Sequence, residues 1–307
     1  MEGGHPLILS NNCHSNIRAG IGISEGACPI VRKNHCHNNR RAGIGVRTGQ
    51  DTRPLIINND CHDNAMTGIG VSDGSYAIIR GNHCYKNALT GIGLQTGASA
   101  LIIGNECNDN KAAGIGHREV GETLVMDNHI HHNGASGLGF DTTSIDSTSK
   151  CVGNRIHDNN LVGVGIHKGW NVQLVGNEIS RSGGMPPLVM IFEGSHAEFT
   201  DNKLTGGGVA SIRCAGSVLI EGNVIKPDAG SKGGRGPSSA IWALPGAEVV
   251  AHGNEFQGWR KALLASGAKV IVSQNRGYIL NANPFQLDKS VSGSRIANND
   301  IGTSSNK

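Results

Sequence analysis

The stretch "NNDCHDNAMTGIGVSDGS", Asn58 to Ser75, has an order that the chain repeats on either side of it. Upstream stands "KNHCHNNRRAGIGVRTG" from Lys33, and downstream "GNHCYKNALTGIGLQTG" from Gly81. In each, an Asn precedes a Cys by two places, a second Asn follows it, and Gly-Ile-Gly comes next. Aligning the first Asn gives Asn11, Asn34, Asn59, Asn82, Asn105, Asn128, Asn154 and Asn177, and less cleanly Asn202, Asn223, Asn254, Asn275 and Asn299. Most steps are 23 to 26 residues, with one longer step from Asn223 to Asn254. A second column runs through Asn16, Asn39, Asn64, Asn87, Asn110, Asn133 and Asn159. A fixed period of this size means a solenoid, whose units are stable only when stacked.

The repeat chemistry selects the kind of solenoid. Segments such as "GIGV", "LIIN" and "DCHD" are short, alternating or β-branched, and bounded by Gly, Asn or Asp, which is strand-and-turn chemistry. No stretch sustains an apolar period of 3.6 long enough for a helix, and the Leu framework of leucine-rich repeats is absent. The expectation is an all-β, right-handed parallel β-helix of about thirteen coils, roughly 23–25 residues each. It forms a single domain over 1–307, with regular coils over 1–225 and divergent coils and a C-terminal cap over 226–307.

Composition narrows the function classes. The 307 residues carry a formal charge of only +3, so no electrostatic footprint points to nucleic acid or an anionic membrane. No apolar run approaches the roughly 18 residues of a membrane span. The start "MEGGHPLILSNN" shows no secretion signal. The compartment is left open: secreted or periplasmic if a signal has been removed, otherwise cytoplasmic. Walker loops, G-x-S-x-G elbows and His-Glu-x-x-His are absent, and the Gly-rich run around Lys232 opens no helix. No cofactor is called for.

The N-x-[C/I]-x-x-N…G-I-G-[I/V] pattern resembles the right-handed parallel β-helix repeats of carbohydrate-binding and sugar-hydrolase proteins. Relatives of that kind include pectate lyases, alginate lyases and epimerases, and a periplasmic protein of nitrous oxide reductase maturation. The resemblance covers nearly the whole chain and implies the fold. It also implies a polysaccharide partner, although the Asp-Pro-His of the alginate epimerases and the pectate lyase signatures are missing. One fold of this kind serves enzymes, binders and scaffolds.

In a β-helix, residues at one repeat position stack about 4.8 Å apart, so columns carry the meaning. Cys13, Cys36, Cys61, Cys84 and Cys107 give way in register to Ile130, Ile156 and Ile179, which reads as an inward column of unpaired thiols. Stacked Cβ atoms lie farther apart than the roughly 3.8 Å a disulfide prefers. The two Asn columns read as ladders that satisfy the backbone at turns. Beside the Cys, outward, stand His35, Asp60, His83, Glu106 and His129 on one flank and His14, His37, His62, Tyr85, His131 and His157 on the other. His83, Glu106 and His129 have the ligand types of a zinc or copper site. Cross-rung polar pairing is the simpler reading, and no metal site is assigned.

The Gly-Ile-Gly strand places Ile21, Ile44, Ile69, Ile92 and Ile115 inward and Gly22, Gly45, Gly70, Gly93, Gly116 and Gly139 outward. Gly is a poor strand former. The column either serves backbone geometry or leaves a trough for an extended ligand or for another copy of the chain, through which it would self-associate. Beside it runs Ser24, Arg47, Ser72, Gln95, Arg118, Asp141 and His167. Arg118 can neutralise a sugar carboxylate, His167 can move a proton and Asp141 can orient it, as lyase or epimerase chemistry on a polyuronate requires. Arg47, Gly93, Gly116, Gly139 and Trp242 are the candidate substrate contacts. The column continues as Met190 and later Trp242, with "KPDAGSKGGRGPSSA" as a loop that would fold over Trp242. His117 falls at an inward position. The alternative function is a non-catalytic scaffold or interaction module, and a metal-handling periplasmic protein ranks behind both.

Overall fold

A computed structural model describes residues 3–228, 238–288 and 293–303. Every regular element among them is a strand of three to six residues. The strands lie on three faces, numbering thirteen, thirteen and twelve, and every pairing is parallel. The chain is a right-handed β-helix of about twelve to thirteen turns. It divides into two compact units, residues 1–160 and 161–307.

Within the first unit the register is the one the repeat dictates. Ile21, Ile44, Ile69, Ile92, Ile115 and Leu138 pair rung on rung in the third sheet. In the second sheet Cys13, Cys36, Cys61, Cys84 and Cys107 pair in the same way. Alternation does this: in Ile44–Val46 the two aliphatic ends are buried and Gly45 faces out. The thiols are free, and all of these but Cys13 are buried. Elsewhere, burial pushes the thiols of Cys151 and Cys214 up to about 12, so they behave as small apolar core groups.

From Asn34 to Asn159 two corners of each coil follow one recipe, a left-handed residue followed by a buried Asn, and in the second unit the first of these corners continues it. Asn58, Asp127 and Asp201, with φ of 52°, 54° and 55°, precede Asn59, Asn128 and Asn202. At the second corner Asn38, Asp63 and Lys86, with φ of 53°, 51° and 53°, precede Asn39, Asn64 and Asn87. The left-handed conformation costs a side-chain-bearing residue about 1–2 kcal/mol, least for Asn and Asp. The amide that follows compensates. Asn82 donates from Nδ2 to Ile56 O at 2.9 Å and to Asn105 Oδ1 at 3.0 Å, and accepts from Asn59 N and Nδ2 at 2.9 Å. The first ladder runs from Asn11 to Asn154 in the first unit and from Asn177 to Asn299 in the second.

The two glycines of Gly-Ile-Gly have opposite jobs. A Cβ built on Gly43 would stand 2.8 Å from Gly68 O and 2.9 Å from Asn64 Nδ2. One on Gly45 meets nothing nearer than the Ala19 Cβ, at 3.5 Å. The first glycine lets the next coil's backbone approach, whereas the second leaves open surface. Gly43→Ala is therefore expected to cost about 3 kcal/mol of unfolding free energy, and Gly45→Ala less than about 0.5 kcal/mol. Urea denaturation of the two variants beside the parent checks this, and equal midpoints for both would contradict it.

In the second unit the drift of the sequence after Lys226 does not stop the coiling. Strands Ser239–Ala243, Lys261–Ala265 and Phe285–Leu287 continue the third sheet, and Asp300–Thr303 pairs in register with Arg276–Ile279. The loop expected to cover Trp242 falls largely in residues 229–237, outside the described residues.

Candidate functional site

The outward glycines pair in one column, Gly22, Gly45, Gly70, Gly93, Gly116 and Gly139. The floor they form is not uniform. Nothing lies within 4 Å of a Cβ built on Gly22, but Thr67 Cγ2 and Thr90 Oγ1 crowd one on Gly93 at 3.0 and 2.7 Å. Ser136 Oγ stands 2.8 Å from one on Gly139. The face is most open over the first rungs, and there it forms a cleft of about 470 Å3.

Gly22, Gly45, Gly70 and Gly93 make the floor of this cleft. Arg18, Arg41 and Met66 stand along one wall, and Arg47 on the other with Ser24, Ser72 and Gln95. Three guanidinium groups face the cleft, and no carboxylate or aromatic ring lines it. Among the described residues none of these guanidinium groups has an ion-pair partner. Uncompensated cations around a flat floor suit a ligand that brings repeated negative charge.

Of the residues expected to bind substrate, Arg47 and Gly93 line the cleft. Gly116 and Gly139 continue the column beyond it. Arg18 and Arg41 were not anticipated, although "IRAGIG" and "RRAGIG" display both. They sit two places before the first glycine, on a corner where strand alternation assigns no direction. Arg118 Nε lies 3.5 Å from Asp141 Oδ2, an exposed ion pair worth at most about 1 kcal/mol. His167 belongs to the second unit, where its ring stacks on Phe192 at 4.0 Å. Trp242 is also in the second unit, in register with Arg213, whose guanidinium lies 5.3 Å from the indole centre.

His117 is inward as expected, paired between Leu94 and Phe140 in the third-sheet ladder. Its ring stacks on Phe140 at 4.4 Å, and Nδ1 lies 3.2 Å from Gly139 O. Burial lowers its pKa to about 4, against which the carbonyl contact acts weakly. The folded pKa lies below the unfolded value near 6.5, so between the two the unfolded chain binds the extra proton. This contribution is full above about pH 6.5 and lost as pH falls toward 4, amounting to about 3 kcal/mol. His117→Leu is expected to flatten that part of the stability profile, measured by urea midpoints from pH 7 to pH 4. A variant profile parallel to the parent's would contradict it.

The imidazoles of the second sheet fall into two groups. His14, His37, His62 and Tyr85 stack face to face at 5.1, 5.0 and 4.7 Å. The trio His83, Glu106 and His129 does not assemble. His83 contacts Asn108 Oδ1 at 2.8 Å and Asp60 Oδ1 at 3.4 Å. Glu106 instead meets both His129 and His131. Same-column side chains stand a rung apart, whereas His131 leans back across the strand toward Glu106.

Three comparisons bear on kinship. A solved structure, the cryo-EM complex of Vag8 with C1 inhibitor, matches with a TM-score of 0.61 at 12% identity, covering 90% of this chain and 73% of that one. A mutant of the periplasmic alginate epimerase AlgG aligns over 98% of this chain and 79% of its own, with 13% identity and a TM-score of 0.37. PfbA, a surface adhesin of Streptococcus pneumoniae, aligns over 91% and 86%, with 8% identity and a TM-score of 0.29. The first of these likenesses shows the fold alone. No curated protein sequence matches. The family model described as "Right handed beta helix region" matches residues 1–116, 51–189 and 118–281. With nearly the whole length matched and every coil pairing in parallel, the chain belongs to the right-handed β-helix family.

Proposed function

We propose that the chain binds an extended acidic polysaccharide along the glycine-floored cleft of its first rungs. The observation that carries this reading is the set Arg18, Arg41 and Arg47, three guanidinium groups around an open glycine floor with no lining carboxylate. Arg18 and Arg41 stand on adjacent rungs, about 4.8 Å apart in the stacking direction, so a polymer with repeated carboxylates can meet both. The guanidinium fork suits bidentate carboxylate contacts better than a lysine would. The flat floor admits a chain lying against it, and its open path along the rungs favours a polymer over a compact ligand. A single-stranded nucleic acid fits less well, because the lining offers no ring on which a base would stack.

Lyase or epimerase chemistry on such a polymer would use Arg118 as carboxylate neutraliser and Asp141 as orienting group in the first unit; His167, expected as the proton carrier, belongs to the second unit. Arg118 and Asp141 share a side of the glycine column with Arg47, on rungs beyond the cleft. Release of unsaturated uronate ends would reveal a lyase. The test of binding is native affinity electrophoresis in gels containing alginate, polygalacturonate or neutral dextran. Retardation by an acidic glycan and not by dextran supports the reading. Equal mobility in every gel overturns it and leaves the glycine face as a protein interface.

A further inference from the structure

A cluster remote in chemistry from the arginine cleft occupies the outward face of the second sheet. Three consecutive strands, Glu106–Asn108, His129–His131 and Arg155–His157, carry Glu106, His129, His131 and His157 in register. Glu106 Oε1 lies 3.3 Å from His131 Nε2 and 4.0 Å from His129 Nδ1. One donor atom from each of the three lies within 4.8 Å of the other two. On the far side of His129, Nε2 is 2.8 Å from His157 Nε2. We propose that Glu106, His129 and His131 form a zinc-binding site that joins consecutive coils, with His157 holding the His129 ring from its far side.

Cross-rung polar pairing does not explain this cluster as well. Salt bridging would require protonated rings, and His129, His131 and His157 packed with centroids 4.2 to 5.0 Å apart would then repel one another around a single carboxylate. Glu106 Oε1 faces both rings but stands 4.0 Å from His129 Nδ1, beyond hydrogen-bond reach, a gap that a divalent cation among the three donors would fill. The second layer is also present. His157 Nδ1 lies 2.9 Å from the Asp158 carboxylate. A proton held there leaves His157 Nε2 to accept from His129 Nε2–H, which turns the His129 Nδ1 lone pair toward Glu106 and His131, the outer-layer orientation that metal-binding histidines use.

Donor type and order point to zinc. One carboxylate with two imidazoles is a donor set zinc accepts, water completing the sphere, with bonds of about 2.0–2.1 Å that place tetrahedral donors about 3.3 Å apart. The Glu106–His131 pair already stands at 3.3 Å, and rotation of the His129 ring closes the rest. His131 and His157 are mostly covered, with side chains 15% and 16% exposed, so little rotamer freedom is left to lose on binding. The other histidine column is different: His14, His37 and His62 stack flat, one ring per rung, and the carboxylate beside them, Asp63, meets His62 alone at 2.8 Å. It serves as an internal control.

The experiment is calorimetric titration of the full chain, tag removed and dialysed against chelator, with zinc chloride at neutral pH. The expected result is one zinc per chain at sub-micromolar affinity. Binding should be at least tenfold weaker in Glu106→Gln and in His131→Gln, and unchanged in His37→Gln. Saturating zinc should raise the melting temperature of the parent and not of the two ligand variants. Should His131→Gln fail to fold, Glu106→Gln carries the comparison, because its side chain is half exposed. Absence of tight zinc, or tight zinc that survives both ligand substitutions, overturns the proposal.

Discussion

Asn87→Ala is expected to lower the unfolding free energy by about 4 kcal/mol or more, although it changes neither charge nor the apolar core. The side chain is fully buried. It donates to Cys61 O at 2.9 Å and to Asn110 Oδ1 at 3.0 Å, and it accepts from Asn64 N at 3.1 Å and Asn64 Nδ2 at 3.0 Å. Removing it takes a partner from Cys61 O, Asn64 N and Asn64 Nδ2 on the preceding coil, while Asn110 Oδ1 keeps the Asn87 N–H at 3.1 Å. Each buried group left unsatisfied costs about 1–3 kcal/mol. The lost amide also held the corner that Lys86 opens in a left-handed conformation. Asn87→Asp tests the same point isosterically, since a carboxylate keeps the acceptors and loses both donations. Urea denaturation is the measurement, and a cost under about 1 kcal/mol for Asn87→Ala would contradict the ladder's role.

Replacing Arg41 and Arg47 together by Ala is expected to weaken acidic-glycan binding by about 100-fold or more. A hydrogen bond to a charged group contributes about 1.5–3 kcal/mol. Removing both guanidinium groups therefore takes away at least about 3 kcal/mol, or roughly two powers of ten in affinity. Stability should not move, because both side chains are exposed and neither holds another residue. The residual binding should also depend less steeply on salt, since fewer cationic groups remain to be screened. Loss of folding in the variant would show instead that the arginines serve the coil.

The fold was legible because a solenoid writes its geometry into its period. Asn59, Cys61 and Asn64 recur with the coil, so one repeat read correctly gives corner, inward plug and corner for all of them. The same regularity conceals the site. Gly43 and Gly45 differ by two positions and look equivalent in "AGIGV", yet one admits the backbone of the next coil and the other opens the cleft. Only the distance to Gly68 O separates them. Arg18 and Arg41 were in view but lie on corners, where side-chain direction follows the turn and not the strand. Arg47, on the strand's outward extension, can be placed on the outer face by alternation alone, and it lines the cleft. His131 belongs to a different column from Glu106, and the approach between them depends on a side chain leaning across the strand. Chemistry that rests on leaning side chains does not show in a period.

The most direct test of the central claim is native affinity electrophoresis in polygalacturonate, with the parent, the Arg41→Ala/Arg47→Ala variant and a dextran gel run side by side. The account expects the parent to be retarded by the acidic glycan alone and the variant to migrate as it does in dextran. Equal retardation of parent and variant would contradict it, because binding would then lie away from the cleft that these arginines line.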